Sequence, residues 1–102
     1  MDSGVLSVLA SERRLRILRL VYENEMSAGE LASHFEVSWP AISQHVTLLK
    51  DAGLVRERRD GRYRMYSTDS ETLGQLEGVL TAMWQSDLDR LAQLAEGEEN
   101  RG

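Results

Sequence analysis

Residues 37–53 (Val-Ser-Trp-Pro-Ala-Ile-Ser-Gln-His-Val-Thr-Leu-Leu-Lys-Asp-Ala-Gly) constrain the fold more than any other stretch of the chain. They carry a start signal, a stop signal and two unlike faces. Ser38 can accept from the free N–H groups of a first helical turn. Pro40 falls inside that turn, where its missing N–H costs little. Gly53 suits the left-handed residue that ends a helix. At about 100° per residue, Ala41, Ile42, Val46, Leu48 and Leu49 are expected on one broad buried arc. Trp39, Pro40, Ser43, Gln44, Thr47, Lys50 and Asp51 take the other. Small hydroxyls, an amide, a planar ring and one cation differ from the Glu/Lys mixture of a merely solvated face. Such a surface suits the major groove of DNA, where Gln and Ser can hydrogen-bond base edges.

The segments before it prepare that helix. Val5, Leu6, Val8 and Leu9 predict a short helix that must pack on something else. Ser11 reads as the cap of a second helix, with Glu12 in its first turn where negative charge suits the dipole. Leu15, Ile17, Leu18, Leu20, Val21 and Tyr22 make it strongly apolar, Arg13, Arg14, Arg16 and Arg19 lie outside, and it should end near Glu23-Asn24-Glu25. Ser27-Ala28-Gly29-Glu30 fits a capping box, opening a short helix that buries Leu31, Ala32 and Phe35. Two short helices joined by about four residues, the second polar outside, form a helix-turn-helix.

After Gly53 the pattern turns extended. Leu54–Arg59 and Arg62–Ser67 flank Asp60-Gly61, a strong hairpin signal. A two-residue Asp60-Gly61 loop would set Val55 opposite Tyr66, Glu57 opposite Arg64 and Arg59 opposite Arg62. Glu57–Arg64 would be a favourable cross-strand pair, whereas Arg59–Arg62 repel unless a polyanion lies nearby. A basic hairpin directly after a helix-turn-helix is a wing. From Ser70 the helical period returns to about Glu96, through Leu73, Leu76, Leu80, Met83, Trp84, Leu88, Leu91 and Ala95. So long an apolar stripe exceeds what this small body can cover, and a symmetric partner helix is the natural second surface. The fold class expected is mainly α with a small β-hairpin: a winged helix-turn-helix of about five helices and a two-stranded wing. One domain for DNA binding and dimerisation spans 1–96, with a disordered acidic tail at 97–102.

Charge supports that division. The net charge of −5 over 102 residues looks wrong for a nucleic-acid partner. It is, however, unevenly spread: residues 36–68 carry +2, whereas 69–102 carry −6. The middle can face phosphates while the acidic end stays in water. The absence of cysteine excludes disulfides and thiolate metal sites. No apolar run would span a bilayer and no export leader is evident, so no membrane partner and a cytoplasmic location are expected. With two histidines, no phosphate-cradling glycine loop and no nucleophile beside a base, enzymatic chemistry is not expected.

Together, Leu31-Ala32, Val37–His45, Leu48–Val55 and the wing Arg58-Arg59-Asp60-Gly61-Arg62-Tyr63-Arg64-Met65-Tyr66 resemble the ArsR/SmtB family of dimeric bacterial winged-helix repressors, over roughly residues 5–92. The resemblance implies dimerisation through the first and last helices and insertion of the second helix-turn-helix helix into the major groove. The wing would reach neighbouring backbone or minor groove. It places Trp39, Pro40, Ser43 and Gln44 at base-contacting positions. Many members sense metals through cysteines at positions matching Ser27 and Gly29, and others use His and carboxylates of the terminal helices. Here the last helix has Asp87 and Asp89 but no His, so the chain is more similar to members without the metal site, and neither metal nor cofactor is expected.

The residues expected at DNA are therefore Ser38, Trp39, Pro40, Ser43, Gln44, His45, Thr47 and Lys50 of the helix, with Arg56, Arg58, Arg59, Arg62, Tyr63 and Arg64 of the wing. The dimer interface is expected to use Val5, Leu6, Leu9, Leu76, Leu80, Met83, Trp84, Leu88 and Leu91. His45 is expected to pack or to touch phosphate rather than hold a metal, and Trp84 with Met83 to pack rather than line a ligand pocket. The resulting function is a sequence-specific regulator, a repressor or autorepressor, that binds an inverted-repeat operator as a homodimer. Two alternatives stay open at this point: a winged-helix module that binds protein, and a repressor with an atypical metal or small-molecule site. The effector is undefined.

Overall fold

Ile42, Val46 and Leu49 are wholly buried, and the other elements are arranged about that stripe. The computed structural model describes residues 3–86. The expected helix beyond 86, Leu88 and Leu91 as interface residues, Asp87, Asp89 and the acidic tail lie outside the described residues. In chain order the elements are α1 (Ser3–Leu9), α2 (Glu12–Glu23), β1 (Met26–Ser27), α3 (Ala28–Ala32), α4 (Trp39–Asp51), β2 (Arg56–Asp60), β3 (Tyr63–Ser67) and α5 (Ser70–Leu73). A further helix, α6, covers residues 76–86.

Local signals set the helix ends. Ser11 caps α2 by accepting from the Arg14 N–H at 3.3 Å. Ser27 and Glu30 complete the capping box of α3, each side chain accepting from the other residue's backbone N–H at 3.2 Å. Ser38 caps α4 through the Ala41 N–H at 3.3 Å, and Pro40 stands in the first turn. At the other end Gly53 takes φ +79°, the Leu54 N–H reaches the Leu49 carbonyl at 3.0 Å, and the Gly53 N–H reaches the Lys50 carbonyl at 2.9 Å. Those two bonds are the Schellman pair, and Leu54 and Leu49 are both buried beneath it.

The buried faces of α2 (Ile17, Leu18, Val21), α3 (Ala28, Leu31) and α4 meet in one cluster that also takes in Leu54, Val55, Tyr66, Leu73 and Leu80. The Thr68 N–H donates to the Val21 carbonyl at 3.1 Å, tying the end of β3 to α2. The Arg16 guanidinium lies 4.7 Å over the Phe35 ring and covers the connection between α3 and α4. That connection runs over residues 33–38 rather than about four, because α3 ends early in tight turns.

Four further expectations are corrected. Leu48 is 44% exposed rather than buried. At about 100° per residue it falls ~120° from Ile42 and only ~40° from Gln44, so it belongs to the outer face. The wing is part of a three-stranded antiparallel sheet of order β1-β3-β2, not a two-stranded hairpin. A strand as short as Met26–Ser27 has no readable period. The hairpin loop is Gly61-Arg62, so Arg59 faces Arg64, Glu57 faces Tyr66 and Asp60 faces Tyr63. Gly61 has φ +64°, and among the described residues no non-glycine has positive φ, the pattern of a type II′ turn. The pairing is displaced by an even number of residues, so every side chain keeps its face of the sheet.

The last correction concerns the terminal helix, which is not continuous from Ser70. Asp69 caps α5 by accepting from the Thr72 N–H at 2.7 Å, and α5 ends at Gly74 with φ +55° and ψ −127°. Leu73 and Leu80 still point into the core across this break. Among the described residues, nothing lies within 4 Å of where a Cβ on Gly74 would sit. Gly74→Ala therefore probes the backbone alone, and a loss of about 1–3 kcal/mol is expected in urea denaturation. A change below about 0.5 kcal/mol, the level of an ordinary surface substitution, would show that the break does not require glycine.

Candidate nucleic-acid interface

The outer face of α4 is open along its length. Trp39 is 61% exposed, and Pro40, Gln44, Thr47 and Lys50 are exposed, with Ser43 half-buried. The Ser38 hydroxyl is committed to the cap. Thr47 donates its hydroxyl proton to the Ser43 carbonyl at 2.9 Å, so it offers lone pairs outward. Gln44 is exposed, and its side-chain amide carries the donor and acceptor that a reader of adenine needs. Leu48 joins Pro40, Ser43, Gln44 and Thr47 along a shallow groove, adding apolar surface suited to a thymine methyl. Its place there was legible in the sequence by counting angles.

Between the start of α4 and the wing lies a cleft of about 500 Å³ lined by Trp39, Ser43, Arg62, Tyr63, Arg64 and Tyr66, together with Ser27–Gly29. Tyr63 is 61% exposed. The wing cations are not equally free. Arg58 bonds Glu25 through Nε at 2.8 Å and through a second nitrogen. Arg56 meets Asp69 at 3.0 Å. Glu57 holds Lys50 at 2.7 Å and Arg64 at 3.6 Å. Arg59 and Arg62 make no ion pair among the described residues. The Glu57–Arg64 pair, expected directly across the strands, is present as a diagonal one. The Glu25 and Asp69 partners were missed, because each depends on tertiary placement rather than spacing. The Lys50 ammonium bonded to it holds the Glu57 carboxyl below the usual carboxylate range, and Glu57 raises Lys50 in return.

The expected dimer residues divide into three groups. Leu6 and Met83 are exposed, at 56% and 43%, and Val79, which sequence reasoning overlooked, is 58% exposed. Val5, Leu9, Leu76 and Trp84 are half-buried against the core. The Trp84 ring lies 5.5 Å from that of Tyr22. Leu80 is 2% exposed and fills the core of its own chain, so it has no surface to offer a partner.

His45 links α4 to the first two helices. Its Nδ1 lies 3.2 Å from an Arg14 guanidinium nitrogen. Arg14 also donates to the Val8 carbonyl at 2.6 Å and the Ser7 carbonyl at 3.4 Å. A guanidinium only donates, so Nδ1 accepts and the imidazole is neutral with its proton on Nε2. Burial, then Arg14 and Arg13, push its pKa below the ordinary 6.5. The folded state thus binds fewer protons than the unfolded one below that value. The stability from this group is complete above pH 6.5 and is lost as pH falls towards the lowered folded value. His45→Gln, whose amide oxygen can still accept from Arg14, should lose less stability than the parent on acidification from about pH 7.5 to about 5.5, read from urea midpoints. Equal losses would contradict the assignment.

Comparison with known proteins agrees with this geometry. The profile of "Bacterial regulatory protein, arsR family" matches residues 11–57. The transcriptional activator HlyU of Vibrio cholerae is 42% identical over 66 residues, 65% of this chain and 61% of that protein. The transcriptional repressor SdpR of Bacillus subtilis is 34% identical over 71 residues, 70% of this chain and 79% of that one. The solved structure of HlyU from Vibrio cholerae N16961 superposes with a TM-score of 0.70 at 34% identity, covering 80% of this chain and 86% of that one. The chain belongs to the arsR family of bacterial regulatory proteins and is a winged helix-turn-helix, DNA-binding transcriptional regulator, not an enzyme.

Proposed function

We propose that the chain acts as a homodimer on an inverted-repeat operator, with α4 in the major groove and the β2–β3 wing against neighbouring backbone or minor groove. The observation that carries this reading is the open face of Trp39, Gln44, Thr47 and Leu48 beside Arg59 and Arg62, the wing arginines without an ion pair among the described residues. Exposed Leu6, Val79 and Met83 on α1 and α6 supply apolar surface for a second copy. Binding by occupancy of a promoter would repress; SdpR is named a repressor and HlyU an activator, so the sign depends on where the operator lies. A protein acting on bacterial promoters works in the cytoplasm.

In this arrangement Gln44 and Ser43 read bases while Arg59 and Arg62 hold phosphates. Half-sites should be centred about 10 bp apart, one helical turn. Replacing both Arg59 and Arg62 by Ala should weaken binding to every duplex and flatten the salt dependence by about 0.9 for each phosphate no longer engaged. Gln44→Ala should cost roughly 1–3 kcal/mol on the operator and little elsewhere. Fluorescence anisotropy on the chain's own upstream region and a scrambled duplex separates the two effects. Equal loss on both duplexes after Gln44→Ala would remove its reading role, and a monomer bound at a single half-site would overturn the dimer.

A further inference from the structure

Glu57 stands where the recognition helix and the wing come closest in charge. Its two carboxylate oxygens divide between Lys50 of α4, at 2.7 Å, and Arg64 of β3, at 3.6 Å. Alternation along β2 puts Arg59 on the same face, and Arg59 is the cross-strand partner of Arg64. One carboxylate thus sits among three cations that all belong to the DNA-facing surface. Its side chain is the most shielded of the linked three, at 20% exposure against 42% for Lys50 and 58% for Arg64. Ion pairs this open add little to folding and are readily exchanged for another anion. A charged oxygen in a cluster of Lys and Arg is also what a backbone phosphate supplies.

We propose that Glu57 is an internal stand-in for a DNA phosphate, a specificity-determining residue that keeps Lys50 and Arg64 from phosphates in non-specific complexes. A scrambled duplex then meets mainly Arg59 and Arg62, and only an operator that also satisfies the outer face of α4 draws the held cations away from Glu57. The inference rests on the DNA-binding role and adds to it the residue that restrains indiscriminate binding.

Glu57→Gln keeps the shape and removes the charge. On a scrambled duplex, the variant should bind several-fold tighter at low salt. The plot of log affinity against log salt should steepen by about 0.9 for each cation released, up to two per protomer. Glu23→Gln is the control: Glu23 pairs with Arg19 within α2 at 3.5 Å, and its loss changes net charge equally. An unchanged slope in Glu57→Gln, or the same steepening in Glu23→Gln, overturns the proposal. Failure of the parent protein to bind any duplex, its own upstream region included, would instead contradict the DNA-binding reading. A thermal melt confirms that both variants are folded, and Glu57→Asp, which retains the charge, should keep a slope near the parent's.

Discussion

The burial of Ile42, Val46 and Leu49 against α2 and α3 governs everything that α4 presents to solvent. A helix fixed along one stripe has no rotational freedom, so Gln44, Thr47 and Leu48 face outward because the opposite side is fully buried. The stripe is also short and bounded. Ser38 and Pro40 start it and the Schellman turn at Gly53 ends it, sending the chain straight into the buried Leu54 and Val55. The wing is therefore anchored within a few residues of the helix it accompanies. Truncating any of the three core side chains would leave a cavity of the kind that costs about 2–5 kcal/mol for Leu or Ile, and would loosen the reading face before touching a single outer residue.

Electrostatics adds a second layer. The chain is acidic overall, yet its central third is basic, and within that third the cations are partly neutralised by local carboxylates. Glu25, Glu57 and Asp69 together engage Lys50 and three wing arginines. The surface proposed to meet DNA is thus less cationic than a count of arginines suggests. Pairs in such exposed positions are screened by salt and exchange readily. In the proposed complex they would shape how many phosphates are engaged more than how stable the fold is. His45 differs in kind. Its pKa is lowered by burial and by Arg14, and through Arg14, which also donates to the Val8 carbonyl, it links α4 to the backbone of α1.

What was legible in the sequence was whatever a short window encodes. Ser11, the Ser27–Glu30 box, Ser38, Pro40 and Gly53 each act within one helical turn, and each sits where expected. The family likeness rested on the same windows. The hairpin was legible but its register was not, since Asp60-Gly61 suits one tight turn and Gly61-Arg62 another, and both registers leave Tyr66 on the same face, so alternation does not choose between them. β1 exists only because β3 offers an edge to Met26 and Ser27. The break at Gly74 was hidden by an apolar period that continues on both sides of it, from Leu73 to Leu76 and Leu80. Links such as Arg58 to Glu25 and Arg14 to His45 join residues about thirty positions apart, and no local pattern announces them.

Operator binding of the proposed kind requires two copies of one helix face, held in fixed relation, to act on a single side of a duplex. Hydroxyl-radical footprinting on the chain's own upstream region tests that most directly. The predicted result is a pair of protected patches on one face of the DNA, related by a dyad and centred about one helical turn apart. A single patch, or even protection without a dyad, would contradict it.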